Sequence, residues 1–149
     1  VGGSQKESMS LKNKFDIKDD SNLFFVPHQS QSDLLDYYNK ANILILPMSG
    51  KHKHTKFYAS PNKLFEYMAS GKPIIASNLP SITEILTDNE TALLFDPDDS
   101  VHLISKINQL INDDVLSEKL STNSKMLSKQ YTWNTKASNL IKLFNSKIK

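Results

Sequence analysis

The sequence predicts an α/β domain built on a doubly wound parallel sheet. Short apolar runs alternate with stretches of helical periodicity, and this alternation is typical of strand–helix–strand units with right-handed crossovers. Ile43 to Leu46 is apolar without a break, and Pro73 to Ala76 is a second such run; both are expected of strands buried on two faces. A length of 149 residues fits one domain.

Periodicity and helix-breaking residues give the order of the elements. The predicted strands are short apolar runs: Leu23 to Val26, Ile43 to Leu46, Ile74 to Ile75 and Ala92 to Phe95. The predicted helices repeat apolar side chains three or four positions apart, and they are Gln5 to Phe15, Ser32 to Ala41, Pro61 to Ser70, Val101 to Ile111, Val115 to Ser128 and Trp133 to Ile148. The last three form a helical C-terminal tail.

Polar residues at the helix starts are predicted caps. Ser32 is placed to cap the second helix, and the aspartates of Asp96 to Asp99 suit the N-terminus of the helix that follows. Ser81 and Glu84 have the spacing of a capping box, in which the glutamate reaches back to the serine amide.

Composition excludes several classes of function. The net charge is only +2, which is too balanced to indicate nucleic-acid binding. No apolar run approaches the ~20 residues of a membrane span, no signal-peptide pattern opens the chain, and cysteine is absent. These features lead us to expect a cytoplasmic protein. All 18 basic residues are lysine, so this chain must hold any phosphate with lysine and backbone amides rather than a guanidinium clamp.

One stretch, Ser60 to Ile75, organises the rest of the chain. The Ser60 hydroxyl can cap a helix, and Pro61 suits the first helical position, where its missing N–H costs nothing. Gly71 suits the left-handed residue that ends a helix. The stretch therefore predicts a helix followed directly by a buried strand.

Glu66 gives this helix a possible chemical role. It lies one turn beyond Asn62 and Lys63, so the three side chains share a helix face, and its carboxylate leans toward the amides that start the helix. A helix start binds anions, and a carboxylate beside it can accept hydrogen bonds from hydroxyls. This combination suits a ribose joined to a diphosphate; the alternative is a solvated Glu66 paired with Lys63.

Two loops follow predicted strands, and the first three residues resemble the end of another; these are positions at which open α/β sheets bind ligands. Val1 to Gly3 has the form of a strand end that enters a glycine turn, and Val26 to Gln29 is a second loop. In the latter, His28 either contacts a ligand or is an ordinary surface residue. Met48 to Ala59, predicted to be mobile, contains three lysines and two histidines; it is either a cationic flap or a solvated loop, and a His-x-His metal site is a third, weaker hypothesis.

Ser60 to Lys63 also matches the Ser-x-x-Lys signature of penicillin-binding enzymes. The chain has no Ser-Asp-Asn or Lys-Thr-Gly to complete such a site, so we reject a serine hydrolase.

Five segments in order resemble one family, the retaining glycosyltransferases of the large family four, which have two Rossmann domains (the GT-B fold). The segments are similar to its "A-D-I/V-x-x-x-P" strand, its "S-P-x-K-x-x-E-Y-M-A-x-G-K-P-I-I" helix and strand, its post-strand turn, its "N-x-x-G-x-L-F" strand and its terminal-helix entry. They are Ala41 to Pro47, Ser60 to Ile75, Leu79 to Ile85, Asn89 to Phe95 and Tyr131 to Trp133.

The resemblance implies a Rossmann-like C-terminal domain that binds the donor, a nucleoside diphosphate-sugar carrying UDP or GDP, without a metal or other cofactor. It implies catalytic roles for Glu66, which would bind the ribose hydroxyls, and for Lys63. The implied donor-binding residues are Gly2, Gly3, Pro27, His28, Ser60, Pro61, Asn62, Lys63, Leu64 and Glu66. Many relatives carry an earlier glutamate as well; the position it would take here is Tyr58.

We expect residues 1–149 to be one donor-binding domain, truncated at its N-terminus and lacking an N-terminal acceptor domain. The full enzyme would transfer sugar, with retention, to a saccharide or lipid-linked acceptor of polysaccharide biosynthesis. It would be cytoplasmic, or peripherally bound at the inner membrane face. Two alternatives stay open: a nucleotide-sugar epimerase of the same fold, and a non-catalytic binding module.

Overall fold

A computed structural model describes residues 2–16, 22–59 and 62–147. The chain forms two compact units, one up to Tyr37 and one from Tyr38 onward. Two predicted site residues, Ser60 and Pro61, lie outside the described residues, and so does the end of the last predicted helix at Ile148.

The first unit contains α1 (Gln5–Lys14), and α2 (Gln31–Lys40) begins in it. Ser4 and Glu7 form a capping box at α1: the Glu7 amide donates to Ser4 Oγ at 3.2 Å, and the Ser4 amide donates to the Glu7 carboxylate at 2.6 Å. This pairing satisfies amides that have no acceptor within the helix. At α2 the cap is Ser30, whose Oγ accepts from the Asp33 amide at 3.3 Å, so the prediction of Ser32 as cap is wrong.

The predicted strand at Leu23 to Val26 is not formed. The Gly2 amide donates to the Val26 carbonyl at 2.8 Å, and the His28 amide donates to the Gly3 carbonyl at 2.8 Å. This pairing does not extend into a ladder, and Phe24 is 77% exposed. An apolar run that is exposed over its first half lacks the burial that would stabilise it as a strand.

The second unit is built on three parallel strands, β1 (Leu44–Leu46), β2 (Ile74–Ser77) and β3 (Leu93–Phe95). Their order is β1-β2-β3, with Leu44 opposite Ile74 and Ala76 opposite Leu94. The three strand predictions in this unit are therefore confirmed, with ends shifted by one or two residues.

Helices cover both faces of this sheet. Those of the second unit are α3 (Asn62–Ser70), α4 (Pro80–Thr83), α5 (Ser100–Ile111), α6 (Asp114–Ser128) and α7 (Trp133–Lys147). On β2, Ile74 and Ala76 pack in one buried cluster and Ile75 packs in the other, because successive side chains of a strand point to opposite faces. The first cluster includes Leu64 and Met68 of α3. The doubly wound α/β prediction is confirmed.

The second cluster takes side chains from α5 and α6, with Leu110 and Leu120 buried among them. Asp99 caps α5, since its Oδ1 accepts from the Val101 and His102 amides at 2.9 Å each; this prediction is also confirmed. Not every apolar residue that helical spacing predicts for this helix joins the core, because Ile104 and Ile111 are 56% and 63% exposed.

The capping box predicted at Ser81 is wrong. The residue that caps α4 is Leu79, without a side-chain hydrogen bond, and Pro80 begins the helix. The Ser81 hydroxyl instead donates to the Thr55 carbonyl at 3.0 Å, and Glu84 lies at the end of α4. A tertiary acceptor has therefore displaced the local pairing that the spacing favours.

The last helix leaves its apolar side uncovered in the described residues. Leu140, Ile141, Leu143 and Phe144 are 51–64% exposed, and Trp133 is 84% exposed. None of the described helices is both long enough and apolar enough to cross a bilayer.

Gly71 ends α3 with a φ of +71°, as predicted. We expect Gly71→Ala to lower the free energy of unfolding by about 1–2 kcal/mol, the cost of a left-handed backbone at a residue with a side chain. A Cβ there would also lie 2.9 Å from Cδ of Lys125, a side chain that can move. Urea denaturation measures the change.

Gly71→Asn is the matched control for this substitution, because asparagine tolerates the left-handed region better than alanine. Equal losses for the two variants would show that contact with Lys125, rather than backbone conformation, sets the cost.

Candidate functional site

The candidate site lies at the start of α3. Leu64 and Met68 are completely buried and hold the helix on the sheet, while Asn62 and Lys63 are exposed and Glu66 is half-buried. Because the Leu64 side chain belongs to the core, only its backbone can face a ligand. The first turn of α3 contains no acidic residue, so the partial positive charge of the helix N-terminus is not neutralised from within that turn.

Glu66 is held by a tyrosine. Its Oε2 accepts a hydrogen bond from the Tyr38 hydroxyl at 2.7 Å, and no ion pair joins it to Lys63. The alternative prediction, a solvated glutamate paired with Lys63, is therefore wrong. Lys63 remains available to a ligand.

Tyr38 is a buried residue with a fixed ring. It is 8% exposed, and its ring meets the Tyr67 ring edge-on, with 5.5 Å between centroids and 78° between planes. Burial, the hydrogen bond to Glu66 and the charge of Glu66 raise the pKa of Tyr38 well above its ordinary value. Burial and Glu66 also raise the pKa of Tyr67. The Tyr38 phenol therefore keeps its proton and donates a hydrogen bond to the carboxylate.

Sequence reasoning missed the role of Tyr38. Periodicity placed it on the apolar face of α2, which agrees with its burial but does not identify the partner of its hydroxyl. The available signal is chemical: a buried tyrosine hydroxyl usually needs a hydrogen-bond partner.

The loop after β1 is anchored at two points. The Gly50 amide donates to Asp98 Oδ2 at 3.1 Å, and the Thr55 carbonyl accepts from Ser81. The intervening chain makes a π-helical turn at His54–Tyr58, and Tyr58 is 76% exposed. The loop predicted at Met48 to Ala59 therefore contains one helical turn.

The polar side chains of this loop face outward. Its lysines and histidines are exposed; they are Lys51, His52, Lys53, His54 and Lys56. Within residues 2–16, 22–59 and 62–147, no cluster of three or more histidine, cysteine or acidic side chains could hold a metal ion. The His-x-His metal hypothesis lacks the further ligands that it needs.

A small pocket of about 230 Å³ opens at the carboxyl ends of the three strands, and Met48, Ser77 and Phe95 contribute to its lining. Asp98 and Asp99 also line it, and none of the lining residues is a lysine. The Ser77 hydroxyl is buried without a hydrogen-bond partner. Two carboxylates without a cation make this pocket unfavourable for a phosphate.

In the first unit the structure brings together the other predicted donor-binding residues. Gly2 and Gly3 have φ values of +133° and +73°, a conformation that glycine adopts readily. The Gly3 carbonyl accepts from the His28 amide, and the Gln29 side chain donates to the Pro27 carbonyl at 2.9 Å. The glycine turn and the loop at Pro27 and His28 are therefore neighbours, and the His28 side chain is exposed.

Comparison with known proteins gives one consistent family. The family model described as "Glycosyl transferases group 1" matches residues 1–113. An uncharacterized glycosyltransferase of Haemophilus influenzae is 29% identical over 135 residues, which cover 88% of this chain and 35% of that protein.

Solved structures share the fold. Sucrose-phosphate synthase from Thermosynechococcus elongatus superposes with a TM-score of 0.76 at 22% identity, over 98% of this chain and 37% of that one. Anabaena Alr3699/HepE, solved in complex with UDP, gives 0.75 at 17% identity, over 95% and 36%. The chain thus spans about a third of the length of each of these proteins.

The Tyr38–Glu66 contact predicts how stability depends on pH. Because the pKa of Tyr38 is higher in the folded protein than in the unfolded chain, its stabilising contribution is complete below about pH 10 and is lost as the pH rises further. We expect the free energy of unfolding to fall above about pH 10, by up to about 1.4 kcal/mol per pH unit for this group. Tyr38→Phe should make that fall shallower.

Urea denaturation at a series of pH values measures this dependence. Tyr37→Phe is the control, because it makes the same substitution at the adjacent residue, whose side chain is 40% exposed. Equal slopes for wild type and Tyr38→Phe would contradict the prediction.

Proposed function

We propose that this chain, which belongs to the glycosyl transferases group 1 family, binds the nucleoside diphosphate of a sugar donor and that the longer protein transfers the sugar. The observation that carries the proposal is the half-buried Glu66 carboxylate on α3, one turn beyond the exposed Lys63 and the helix N-terminus. A carboxylate that can accept hydrogen bonds from hydroxyls thus lies beside a helix N-terminus that can bind an anion. A ribose diphosphate requires both.

The diphosphate would bind at the helix start. The amides at Asn62, Lys63 and Leu64 belong to the first turn of α3, where N–H groups have no acceptor within the helix. The Lys63 ammonium adds positive charge. These groups would stabilise the negative charge that builds up on the departing diphosphate as its bond to the anomeric carbon of the sugar breaks.

Glu66 would accept hydrogen bonds from the ribose hydroxyls. This contact would align the nucleotide and, through the diphosphate, the anomeric carbon of the sugar. Neither role needs a metal ion, because the helix N-terminus and Lys63 supply the positive charge; metal-independent transfer remains a prediction.

The glycine turn and the loop at Pro27 and His28 are the part of the first unit that we assign to the nucleotide. UDP is the favoured nucleotide, since Anabaena Alr3699/HepE has been solved with it, and GDP is the alternative. Ser60 and Pro61 lie outside the described residues, and their roles as helix cap and first helical residue remain predictions.

The remainder of the enzyme would supply the acceptor site. We propose an N-terminal domain that holds a saccharide or lipid-linked acceptor, and transfer with retention of configuration. The exposed apolar side chains of α7 (Leu140, Ile141, Leu143 and Phe144) suit a contact with that domain. The family assignment does not favour an epimerase or a non-catalytic module.

A nucleotide titration tests the donor site. We expect UDP or GDP to shift the amide NMR signals of Lys63, Gly71 and the neighbours of Pro27, whereas inorganic phosphate should not produce the same pattern. Glu66→Ala should weaken binding about ten- to a hundredfold, the loss expected for hydrogen bonds to a charged group.

Glu118→Ala is the matched control, because Glu118 is exposed on another helix, α6; this variant should bind like wild type. The proposal fails if neither nucleotide shifts the signals, or if Glu66→Ala binds as tightly as Glu118→Ala.

Transfer itself should need the longer protein. We expect the 149-residue chain to bind the donor weakly and to transfer no sugar to water or to an added saccharide, because the acceptor site would belong to the N-terminal domain. Chromatographic detection of free or transferred sugar from UDP-glucose, compared with a no-enzyme blank, checks this; transfer by the purified chain would contradict the division of roles.

A further inference from the structure

We infer that Tyr38 is a positioning residue for Glu66: it fixes one carboxylate oxygen so that the other faces the ribose hydroxyls of the bound nucleotide. This inference rests on the proposed function. It assigns Tyr38 an indirect role, because Tyr38 would act on the nucleotide only through Glu66.

The hydrogen bond divides the carboxylate. Tyr38 donates to Oε2 at 2.7 Å, and Glu66 has no second hydrogen-bond partner among the described residues. Oε1 and its lone pairs therefore remain open. Two neighbouring hydroxyls of a ribose can both donate to one carboxylate. Because Tyr38 fixes Oε2, Oε1 is presented to these hydroxyls in a defined direction.

Tyr38, the hydrogen-bond donor, is held in place by its surroundings. Tyr38 is 8% exposed, and its ring lies edge-on against that of Tyr67. Tyr67 directly follows Glu66 in α3. Tyr38 thus contacts the carboxylate and the residue beside it, which ties the rotamer of Glu66 to the packing of the Tyr38 ring.

A neutral hydrogen-bond donor such as tyrosine suits the positioning of Glu66 better than a cationic side chain. A lysine in the position of Tyr38 would neutralise Glu66 and compete with the ligand for its charge. A tyrosine hydroxyl orients the carboxylate and leaves its negative charge to strengthen the hydrogen bonds from ribose. A tyrosine phenol keeps its proton across the neutral range, and burial and Glu66 raise the pKa of Tyr38 further, so the hydroxyl remains a hydrogen-bond donor.

The inference predicts that Tyr38→Phe discriminates less well between a nucleotide with ribose hydroxyls and one without them. The test compares binding of UDP and 2′,3′-dideoxy-UDP to the 149-residue chain by titration calorimetry or NMR. Wild type should prefer UDP, and Tyr38→Phe should weaken UDP binding about fivefold, which corresponds to one hydrogen bond. Binding of the dideoxy nucleotide should change little, so the preference for UDP should shrink.

Two features separate positioning from a structural defect. Partial unfolding of Tyr38→Phe would weaken both nucleotides equally and leave their ratio unchanged, which would overturn the inference. Tyr37→Phe makes the same change at the adjacent exposed residue and should keep the wild-type ratio; a ratio as small as that of Tyr38→Phe would also overturn it.

Glu66→Ala distinguishes failure of the inference from failure of the proposed function. If wild type does not prefer UDP, or Glu66→Ala keeps the preference, Glu66 does not bind the ribose and both proposals fall. If Glu66→Ala loses the preference while Tyr38→Phe keeps it, the donor site stands and the positioning role of Tyr38 is wrong.

Discussion

The burial of β2 on both faces is the constraint on which the rest of this domain depends. Ile74, Ile75 and Ala76 are completely inaccessible to solvent, so apolar layers must cover the sheet above and below. Helices meet this need because each presents an apolar stripe. With parallel strands and helical crossovers, the connections that follow the strands all lie at one edge of the sheet. The location of candidate binding sites thus follows from the requirement to bury one short strand.

The same packing positions the chemistry of α3. Leu64 and Met68 are completely buried, which fixes the rotation of the helix about its axis. Glu66, two positions beyond Leu64, consequently lies at the boundary between core and solvent, where it can contact both the buried Tyr38 and a ligand. A glutamate on the fully solvated face of the helix could not contact the Tyr38 hydroxyl, and its carboxylate would not be held in one direction. A glutamate in the core would require a buried charge partner.

Much of this architecture could be predicted from the sequence because the decisive signals are local. The unbroken apolar run at β1 and Gly71 at the end of α3 each specify one backbone structure, and the motifs of Ser60 to Ile75 led to the family that the comparisons support. The errors arose where tertiary contacts decide. Leu23 and Phe24 are more than half exposed, the Ser81 hydroxyl bonds to Thr55, and the partner of Tyr38 is 28 positions away in the chain. Periodicity predicts burial but does not identify hydrogen-bond partners.

Charge distribution gives a reason why the nucleotide would bind at α3 rather than in the pocket at the strand ends. The pocket is lined by Asp98 and Asp99 and by no lysine, and the Asp99 carboxylate already caps α5, so its charge offsets the N-terminus that would otherwise attract a phosphate. The first turn of α3 has no such acid, and Lys63 adds a positive charge. Two helix N-termini in one unit therefore differ in what they can bind. A chain without arginine depends on this difference, because it must hold a phosphate with backbone amides and lysine rather than with a bidentate guanidinium.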